Sequence, residues 1–559
     1  MNDKIIKGAP STSNDDYQLN TITLLRHAAR SYPEQEVVSR KNDGNLFRYN
    51  YGECYDRVKR LANALTELGV KPGDRIGVME WNTHRFCELY FAISGIGAVL
   101  LQLNPRISAD YLTYVINHSD AKFICVSDFL LASLFENIAP NLKGVQGYII
   151  LSDFTEKSTL KLSPQYDYEK LIEDASKEYE WIMIDERSAY SACYTTGTTG
   201  KPKGVYYSHR NIYLHTYAVA TALQVGIEDV IMQITPMFHA QGWGFFYVGP
   251  LTGAKLVFPG AYTLETLDPL ADLLVSEKVT VTCGAPAIFM PMLYHIQKLP
   301  KKPDLTGLRM ASGASEPPLA MMKGFWELGK AEVIHAYGST ETTPLVTGNI
   351  LKPSLKNLSE KEKWELKKKQ GLIVVGVDVK LVGIDGKEVP HDGKSVGELW
   401  IKGPWIAKEY YKDERSEESF QDGYWKSGDM ATIDKNGYVK IVDRLKDVIK
   451  SGGEWISSVD LENTLMGHPM VYEAAVVGVP HPKWEERPLA LVVLTEEGKK
   501  SLKKEDLYTF LMEEGSFAKW QLPDDIIFVD EIPKTSVGKI AKKDIKGKYK
   551  DVYIKGDKE

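Results

Sequence analysis

The chain has 559 residues, 43% hydrophobic and 26% charged, with a net charge of −7. That length exceeds what a single hydrophobic core usually organises, so at least two domains are expected. Acids interspersed among the lysines exclude a broad nucleic-acid surface, and five scattered cysteines (Cys54, Cys87, Cys125, Cys193, Cys283) lack metal-type spacing and point to reduced thiols in the cytoplasm.

The first residues, MNDKIIKGAPSTSNDDYQ, hold no apolar segment of the kind a secretory signal needs. Nor does any run of about 18 apolar residues, the length that spans a bilayer, occur. Between Tyr51 and Pro105 the periodicity predicts helix, strand, helix, strand. Val58, Leu61, Ala62, Leu65 and Leu68 recur at helical spacing until Gly69; Asp74–Glu80 is strand-like, His84–Ser94 helical and Ala98–Leu103 a second strand. Further strands are expected at Ala121–Val126, Gly147–Leu151, Lys255–Phe258, Val279–Thr282 and Glu332–Ala336. Helices interleaved with them predict an α/β fold with mainly parallel, helix-covered sheets, whose ligands sit at the carboxyl ends of strands.

One such end carries Thr195-Thr-Gly-Thr-Thr-Gly-Lys-Pro-Lys-Gly204, after a strand at Ser188–Tyr194 and before a helix starting at Ser208. Glycine lets backbone approach a ligand closely, free N–H groups and threonine hydroxyls donate to phosphate oxygens, and Lys201 and Lys203 add positive charge. The spacing is not that of the Walker loop: Gly197 and Gly200 stand too close together and Pro202 follows Lys201. Phosphate binding is the expected task. Leu351–Gln370 is rich in Lys and Glu with no apolar stripe, and is expected to be a solvated surface excursion.

After about Gly371 short strands take over: Val377–Gly383, Gly397–Lys402 and Tyr438–Val442. The charged bridge Asp443-Arg-Leu-Lys-Asp447 then leads to a compact α+β unit. It comprises a helix near Ser458–Met466 with Ser457 and Asp460 as a capping box, strands at Glu473–Val479 and Pro488–Leu494, and a helix at Lys504–Glu514. The expected division is a large domain over 1–443, a hinge over 444–447 and a small domain over 448–559.

The glycine-threonine loop is followed in order by Ala311-Ser-Gly-Ala-Ser-Glu-Pro-Pro318, Tyr337-Gly-Ser-Thr-Glu-Thr342, Gly397-Glu-Leu-Trp400, Ser427-Gly-Asp-Met430, the charged bridge and Pro533-Lys-Thr-Ser-Val-Gly-Lys-Ile540. This ordered set resembles the adenylate-forming (ANL) superfamily: acyl-CoA synthetases, peptide-synthetase adenylation domains and beetle luciferases. The resemblance implies a large domain of mainly parallel sheets with a small β-barrel-like subdomain, and a small mobile α+β C-terminal domain. It implies ATP, Mg2+ and coenzyme A as reactants or cofactors, and no nucleic-acid or membrane partner; a homodimer is admitted.

By the same resemblance the nucleotide is held by Thr195, Thr196, Gly197, Thr198, Thr199, Gly200, Lys201 and Lys203, by Gly313, Ser315, Glu316 and Pro317, by Ala336, Gly338 and Ser339, and by Val442. Tyr337 would lie against adenine, Thr340 would contact the α-phosphate, and Glu341 would be the magnesium carboxylate. Asp429 and Arg444 would hold the ribose. Lys539 matches the lysine that bridges carboxylate and phosphate during adenylation. Lys446 matches the hinge position, and Ser451-Gly452-Gly453-Glu454-Trp455 the loop that faces pantetheine. His239, Trp243 and Gly244 align with the wall of the acyl pocket. Acetyl-CoA synthetases carry a tryptophan at the place of Gly338, so glycine implies room for acids longer than acetate or propionate. The finer likeness of Leu103-Asn-Pro-Arg106, Tyr114-Val-Ile-Asn-His118 and Lys450–Ser457 is to medium-chain fatty-acyl, methylmercaptopropionyl and 4-hydroxybutyryl-CoA ligases. Val375 and Glu409 depart from the usual proline and glycine. The expectation is an AMP-forming acyl-CoA synthetase; the alternatives are a luciferase-like oxygenase, a peptide-synthetase module (less expected, since no carrier domain follows Lys539) and a non-catalytic adenylate-binding sensor.

Overall fold

The computed structural model describes residues 6–129, 131–153, 160–195, 201–263, 266–383, 385–451, 454–514, 517–534 and 540–554. Among them lie three sheets, of 14, 7 and 5 strands. The seven-stranded sheet runs Gln165–Asp167, Gly147–Leu151, Ala121–Ser127, Arg75–Met79, Val99–Gln102, Ala189–Thr195, Lys203–Ser208, parallel except for its last pair. The strand at Lys203–Ser208 went unread in the sequence. The glycine-threonine loop therefore closes an antiparallel pair, with Thr195 opposite Lys203, before Ser208 caps the helix His209–Leu223.

The largest sheet changes character along its width. Its parallel part succeeds from Glu36–Arg40 through Lys255–Phe258, Val230–Met232, Val281–Gly284 and Arg309–Ser312 to Glu332–Gly338. This last strand pairs parallel with 309–312 over its first four residues, then antiparallel with Leu345–Gly348 over Ala336, Tyr337 and Gly338, with a register shift between the last two. From there Gly371–Ile373, Tyr438–Arg444, Tyr424–Ile433, Gly397–Lys402 and Asp378–Val382 continue antiparallel. The expected barrel-like part is thus hydrogen-bonded onto the parallel sheet. Tyr337 stands where the pairing switches.

The two large sheets enclose one core. Helix Tyr51–Glu67 contributes Val58, Leu61, Ala62 and Leu65; its entry is fixed because the Asn50 side chain accepts from the Glu53 N–H while Glu53 accepts from the Asn50 N–H. Every residue of helix His84–Gly95 is buried, so its charges need partners. Glu88 accepts from Arg57 at 2.7 and 3.1 Å and from the Tyr168 hydroxyl at 2.7 Å, while Arg85 pairs with Asp153 and Glu169.

Leu351–Gln370 is more than a solvated excursion. Ser359 caps a helix over Glu360–Lys368 whose Leu366 is buried, and the Asn349 amide donates to the carbonyls of Leu366 and Lys369 at 2.7 Å. The strand Tyr438–Arg444 carries the first two residues of the charged bridge, with Arg444 opposite Asp429. The five-stranded sheet begins at Ile449–Ser451. Ser457 does cap Ser458–Met466, but the Asp460 carboxylate pairs with Lys440 at 2.9 Å rather than closing a box. No helix among the described residues is long and apolar enough to cross a membrane, and all five cysteines are buried and unpaired as thiols.

Candidate active site

Three groups of side chains converge at the strand ends. In the first, the Tyr410 hydroxyl donates to Glu341 Oε1 at 2.7 Å and the Ser339 hydroxyl to Glu341 Oε2 at 2.6 Å. The backbone of the same turn is fixed as well: Tyr207 donates to the Thr340 carbonyl at 2.7 Å, and the Ala407 N–H to the Glu341 carbonyl at 2.8 Å. The Lys203 ammonium lies 3.9 Å from the centroid of the Tyr410 ring. Burial pulls it below the usual lysine range while the Glu341 carboxylate opposes that pull. A cation and a carboxylate thus share one aromatic residue, Lys203 lying over the Tyr410 ring and Glu341 accepting from its hydroxyl.

Lys201 sits 5.0 Å over Tyr114, and its carbonyl accepts from Arg415 at 3.0 Å. The Thr195 hydroxyl is buried with no hydrogen-bond partner among the described residues. Such a group is costly unless a ligand or water completes it. Thr196, Gly197, Thr198, Thr199 and Gly200 lie outside the described residues. Gly204 is required by packing, since a Cβ there would stand 2.8 Å from the Tyr194 ring.

The second group is the switch strand and its neighbours. The Tyr337 hydroxyl donates to Asp429 Oδ2 at 2.5 Å, and Arg444 Nε stands 3.4 Å from Asp429 Oδ1. Burial, then the Asp429 charge, push the phenol well above its usual range. A Cβ at Gly313 would come within 2.7 Å of the Ala336 carbonyl oxygen, so that glycine permits the loop 313–317 to approach the strand. Ser312 Oγ and Glu316 Oε2 are buried without partners, and burial, with Asp460 nearby, raises the Glu316 carboxyl to about 8. Ser315 is exposed and Pro317 buried; the Val442 carbonyl accepts from Ser457 at 2.8 Å, tying this strand to the next helix. Three orphaned polar atoms (Thr195 Oγ1, Ser312 Oγ, Glu316 Oε2) therefore border the region to which the sequence assigned a nucleotide.

The third group is the turn after His239. Ala240, Gln241, Gly242, Trp243 and Gly244 have φ of 44, 59, 57, 61 and 81°, a left-handed run in which only two residues are glycine. Left-handed backbone costs roughly 1–2 kcal/mol per non-glycine residue, so the surroundings must enforce it. Gln233 does so: its amide donates to the Gly242 carbonyl at 2.8 Å, and its oxygen accepts from the Phe246 N–H at 3.0 Å. Gln102 accepts from the Gln241 N–H at 3.2 Å, and Ser191 donates to Gln241 Oε1 at 2.8 Å. Trp243 is half-buried, its Cη2 at 3.4 Å from where a Gly313 Cβ would lie, so this turn adjoins the second group. Gly244 covers His215, whose burial lowers its imidazole to about 3 and whose Nε2 accepts from the Leu345 N–H.

Gly338 requires an amended expectation. A Cβ there would stand 1.5 Å from the Pro344 carbonyl oxygen. On this backbone no side chain fits, and a bulky residue cannot simply be added as a pocket floor.

At the other lobe, burial lowers the Lys446 ammonium, and its carbonyl accepts from Lys546 at 3.2 Å. Ser451 is the last residue of its strand, paired with Glu454, while Lys450 pairs with Trp455. Gly452, Gly453 and Lys539 lie outside the described residues; Lys534 and Ile540, which flank the lysine segment, pair with each other. Tyr410, Gln233, Gln102 and His215 were missed from sequence. Gln233 left a trace, as a glutamine in the apolar stretch Val230–Met237; Tyr410 stands in the Tyr-Tyr pair after Glu409, where nothing in the sequence pointed to its contact with Glu341.

The AMP-binding enzyme family model matches residues 25–411, and the model of its C-terminal domain matches 460–539. The chain is 42% identical to a long-chain-fatty-acid–CoA ligase of Thermus thermophilus, over 97% of this chain and 98% of that protein. It is 40% identical to a 3-methylmercaptopropionyl-CoA ligase of Ruegeria lacuscaerulensis, over 95% and 97%. The anthranilate CoA ligase AuaEII, solved with anthranoyl-AMP, has the same fold at a TM-score of 0.81 and 23% identity, covering 96% of this chain and 98% of that one. With the fold, the paired domains and full-length relatives in agreement, the chain belongs to the AMP-binding enzyme family, among its acid–thiol ligases.

Proposed function

We propose that the chain activates a short- to medium-chain carboxylic acid, hydroxylated acids such as 4-hydroxybutyrate included, in two steps. The carboxylate oxygen attacks the α-phosphorus of ATP, breaking its bond to the bridging oxygen and releasing pyrophosphate. The thiol of coenzyme A then attacks the acyl carbon and expels AMP.

The observation that supports this most is the Lys203–Tyr410–Glu341 cluster beside Tyr337–Asp429–Arg444. A carboxylate facing a triphosphate needs fixed positive charge, which preorganised cations supply better than water can. Lys201 and Lys203 hold the phosphates, with the Thr195 hydroxyl donating to one of them. Asp429, acceptor-only when ionised, takes ribose hydroxyls, and Arg444 steadies it. Tyr337 and the 313–317 loop sandwich adenine; the Thr340 hydroxyl meets the α-phosphate. Glu341 offers the single carboxylate that suits Mg2+, an ion that keeps most of its shell from water and phosphate and would neutralise the departing pyrophosphate. Lys539 would bring its ammonium to the reacting oxygens.

Two chemistries need two arrangements, and the division into 1–443, a hinge at 444–447 and 448–559 supplies them by rotation of the small domain about Lys446. Rotation withdraws Lys539 and presents Ser451–Trp455 to the thiol. The acid lies along His239, Trp243 and Gly244. We place the reaction in the cytoplasm, with the acid, ATP and coenzyme A as partners. The test is pyrophosphate release with coenzyme A across straight-chain, hydroxy, branched and aromatic acids. A maximum between about four and eight carbons is expected from the likeness to medium-chain ligases; acetate as best substrate refutes that range.

A further inference from the structure

We propose that Arg487 is a positioning residue for the thiol step: its guanidinium, with the neighbouring Glu486 carboxylate, fixes Lys450 and Ser451, the residues from which the Gly452-Gly453 pair departs. This rests on the reading that Ser451–Trp455 faces the thiol.

Arg487 lies in the strand Glu485–Leu494 and is 8% exposed. Its Nη1 donates to the Ser451 hydroxyl at 3.0 Å and to the Trp520 carbonyl at 2.6 Å. Nη2 donates to the Leu522 carbonyl at 3.1 Å and to Asp524 at 2.5 Å, and Nε to the same Asp524 oxygen at 2.8 Å. One residue earlier, Glu486 accepts from the Lys450 N–H at 3.1 Å, and Glu485 pairs with Ser451 across the strands. Asp524 is itself anchored, its N–H donating to the Pro488 carbonyl at 2.9 Å.

Two separate segments thus meet at one guanidinium: the end of Ile449–Ser451, and the stretch that runs from the turn Lys519–Gln521 through Leu522 to Asp524. A buried ion pair gives little stability over a well-packed apolar group. What a guanidinium gives is direction, because its donors form a rigid planar fork. Here that fork sets where the strand end lies relative to the body of the small lobe. A thiol attacking an acyl carbon tolerates little misplacement, about 1 Å costing on the order of a hundredfold. The contacts of Asp443, Ser458 and Lys542 are made elsewhere, Asp443 accepting from the Ser458 N–H at 3.1 Å and Lys542 donating to the Ser458 hydroxyl, so they do not substitute for Arg487 at Ser451.

The two half-reactions are measured separately: pyrophosphate release without coenzyme A, and coenzyme A-dependent consumption of supplied acyl-adenylate. Arg487→Met is expected to keep the first within about twofold and to slow the second by about tenfold or more, in kcat rather than in KM for coenzyme A. Arg487→Lys should recover part of the loss, and Ser451→Ala, which removes one hydroxyl and leaves the ion pair, should slow the same step several-fold. Gly453→Leu serves as the control for the loop. Should Gly453→Leu block the thiol step while Arg487→Met and Ser451→Ala leave it at the wild-type rate, the positioning role is overturned and the loop reading stands. If Gly453→Leu leaves the thiol step untouched, the loop reading fails and the proposal falls with it. Should Arg487→Met lose both half-reactions through misfolding, Ser451→Ala decides alone: a selective loss supports the role and a wild-type rate overturns it.

Discussion

The proposed nucleotide face and the proposed acyl wall adjoin at Gly313 and Trp243, yet they are built by opposite means. On the nucleotide face, side chains hold one another: Tyr337 to Asp429 to Arg444, and Ser339 and Tyr410 to Glu341. On the acyl wall the backbone does the shaping, a left-handed run from 240 to 244 that Gln233 and Gln102 enforce from beneath. On the proposed reading, a reactant common to all turnovers meets fixed charges and hydrogen bonds, and a variable one meets shape, which can change with the turn while the charges stay.

The comparison breaks hardest at Lys539. Lys539→Ala should lower adenylation by about a thousandfold, the upper range for removing one preorganised charge, and leave thioester formation from supplied acyl-adenylate within a few-fold. Equal loss of both steps contradicts its assigned role. Asp429→Asn should come next, raising KM for ATP by about ten- to a hundredfold with little effect on KM for the acid; a change confined to the acid would place the ribose elsewhere.

The acyl wall is broken from the other side. Gln233→Leu strands the Gly242 carbonyl and the Phe246 N–H, each costing about 1–3 kcal/mol. It should shift the chain-length profile and lower the melting temperature while KM for ATP holds. A Gly338 substitution sharpens the boundary between the two. Gly338→Ala drives a methyl into the Pro344 carbonyl, so a loss of about 1–3 kcal/mol of stability is expected, and Gly338→Trp should lose activity toward every acid before it selects shorter ones. An active Gly338→Trp enzyme with an unchanged melting temperature would mean that this backbone moves freely.

The effect with the least bearing on turnover concerns a buried acid belonging to neither face. Glu80 is 2% exposed, and burial raises its carboxyl to about 8. Unfolded, it would ionise near its ordinary value, so between roughly pH 4.5 and 8 the folded state holds a proton that the unfolded state has lost. Its stabilising contribution is complete below that window and is lost as pH rises through it. Glu80→Gln should flatten the fall in stability from pH 5 to 8, as followed by urea midpoints; an unaltered slope would assign it to other groups, the similarly raised Glu316 among them.

Much of this was legible in the sequence because local chemistry declares itself. The helix around Val58–Leu65, the strands Gly147–Leu151 and Gly397–Lys402, and the helix Ser458–Met466 follow from periodicity and caps. Tyr337, Glu341 and Asp429 were singled out because they stand in ordered motifs. The strand Lys203–Ser208 was hidden: its residues look like the exit of a loop, and only pairing with Ala189–Thr195 makes them a strand. The same holds for Tyr410, which meets Glu341 across 69 residues of chain, and for the clash at Gly338, which depends on a carbonyl six residues away. Contacts between distant segments leave no periodic trace. The helix at Glu360–Lys368 was missed because its buried side, Trp364 and Leu366, is too small to form a stripe.

The central claim is that an acyl-adenylate forms on the large lobe and is passed to a thiol. The most direct measurement follows the products of ATP, coenzyme A and a medium-chain acid in one reaction. The account predicts AMP, pyrophosphate and acyl-CoA in equal amounts, with acyl-adenylate and pyrophosphate alone when coenzyme A is withheld. Formation of ADP and phosphate, or of acyl-CoA with no adenylate when the thiol is absent, would contradict it.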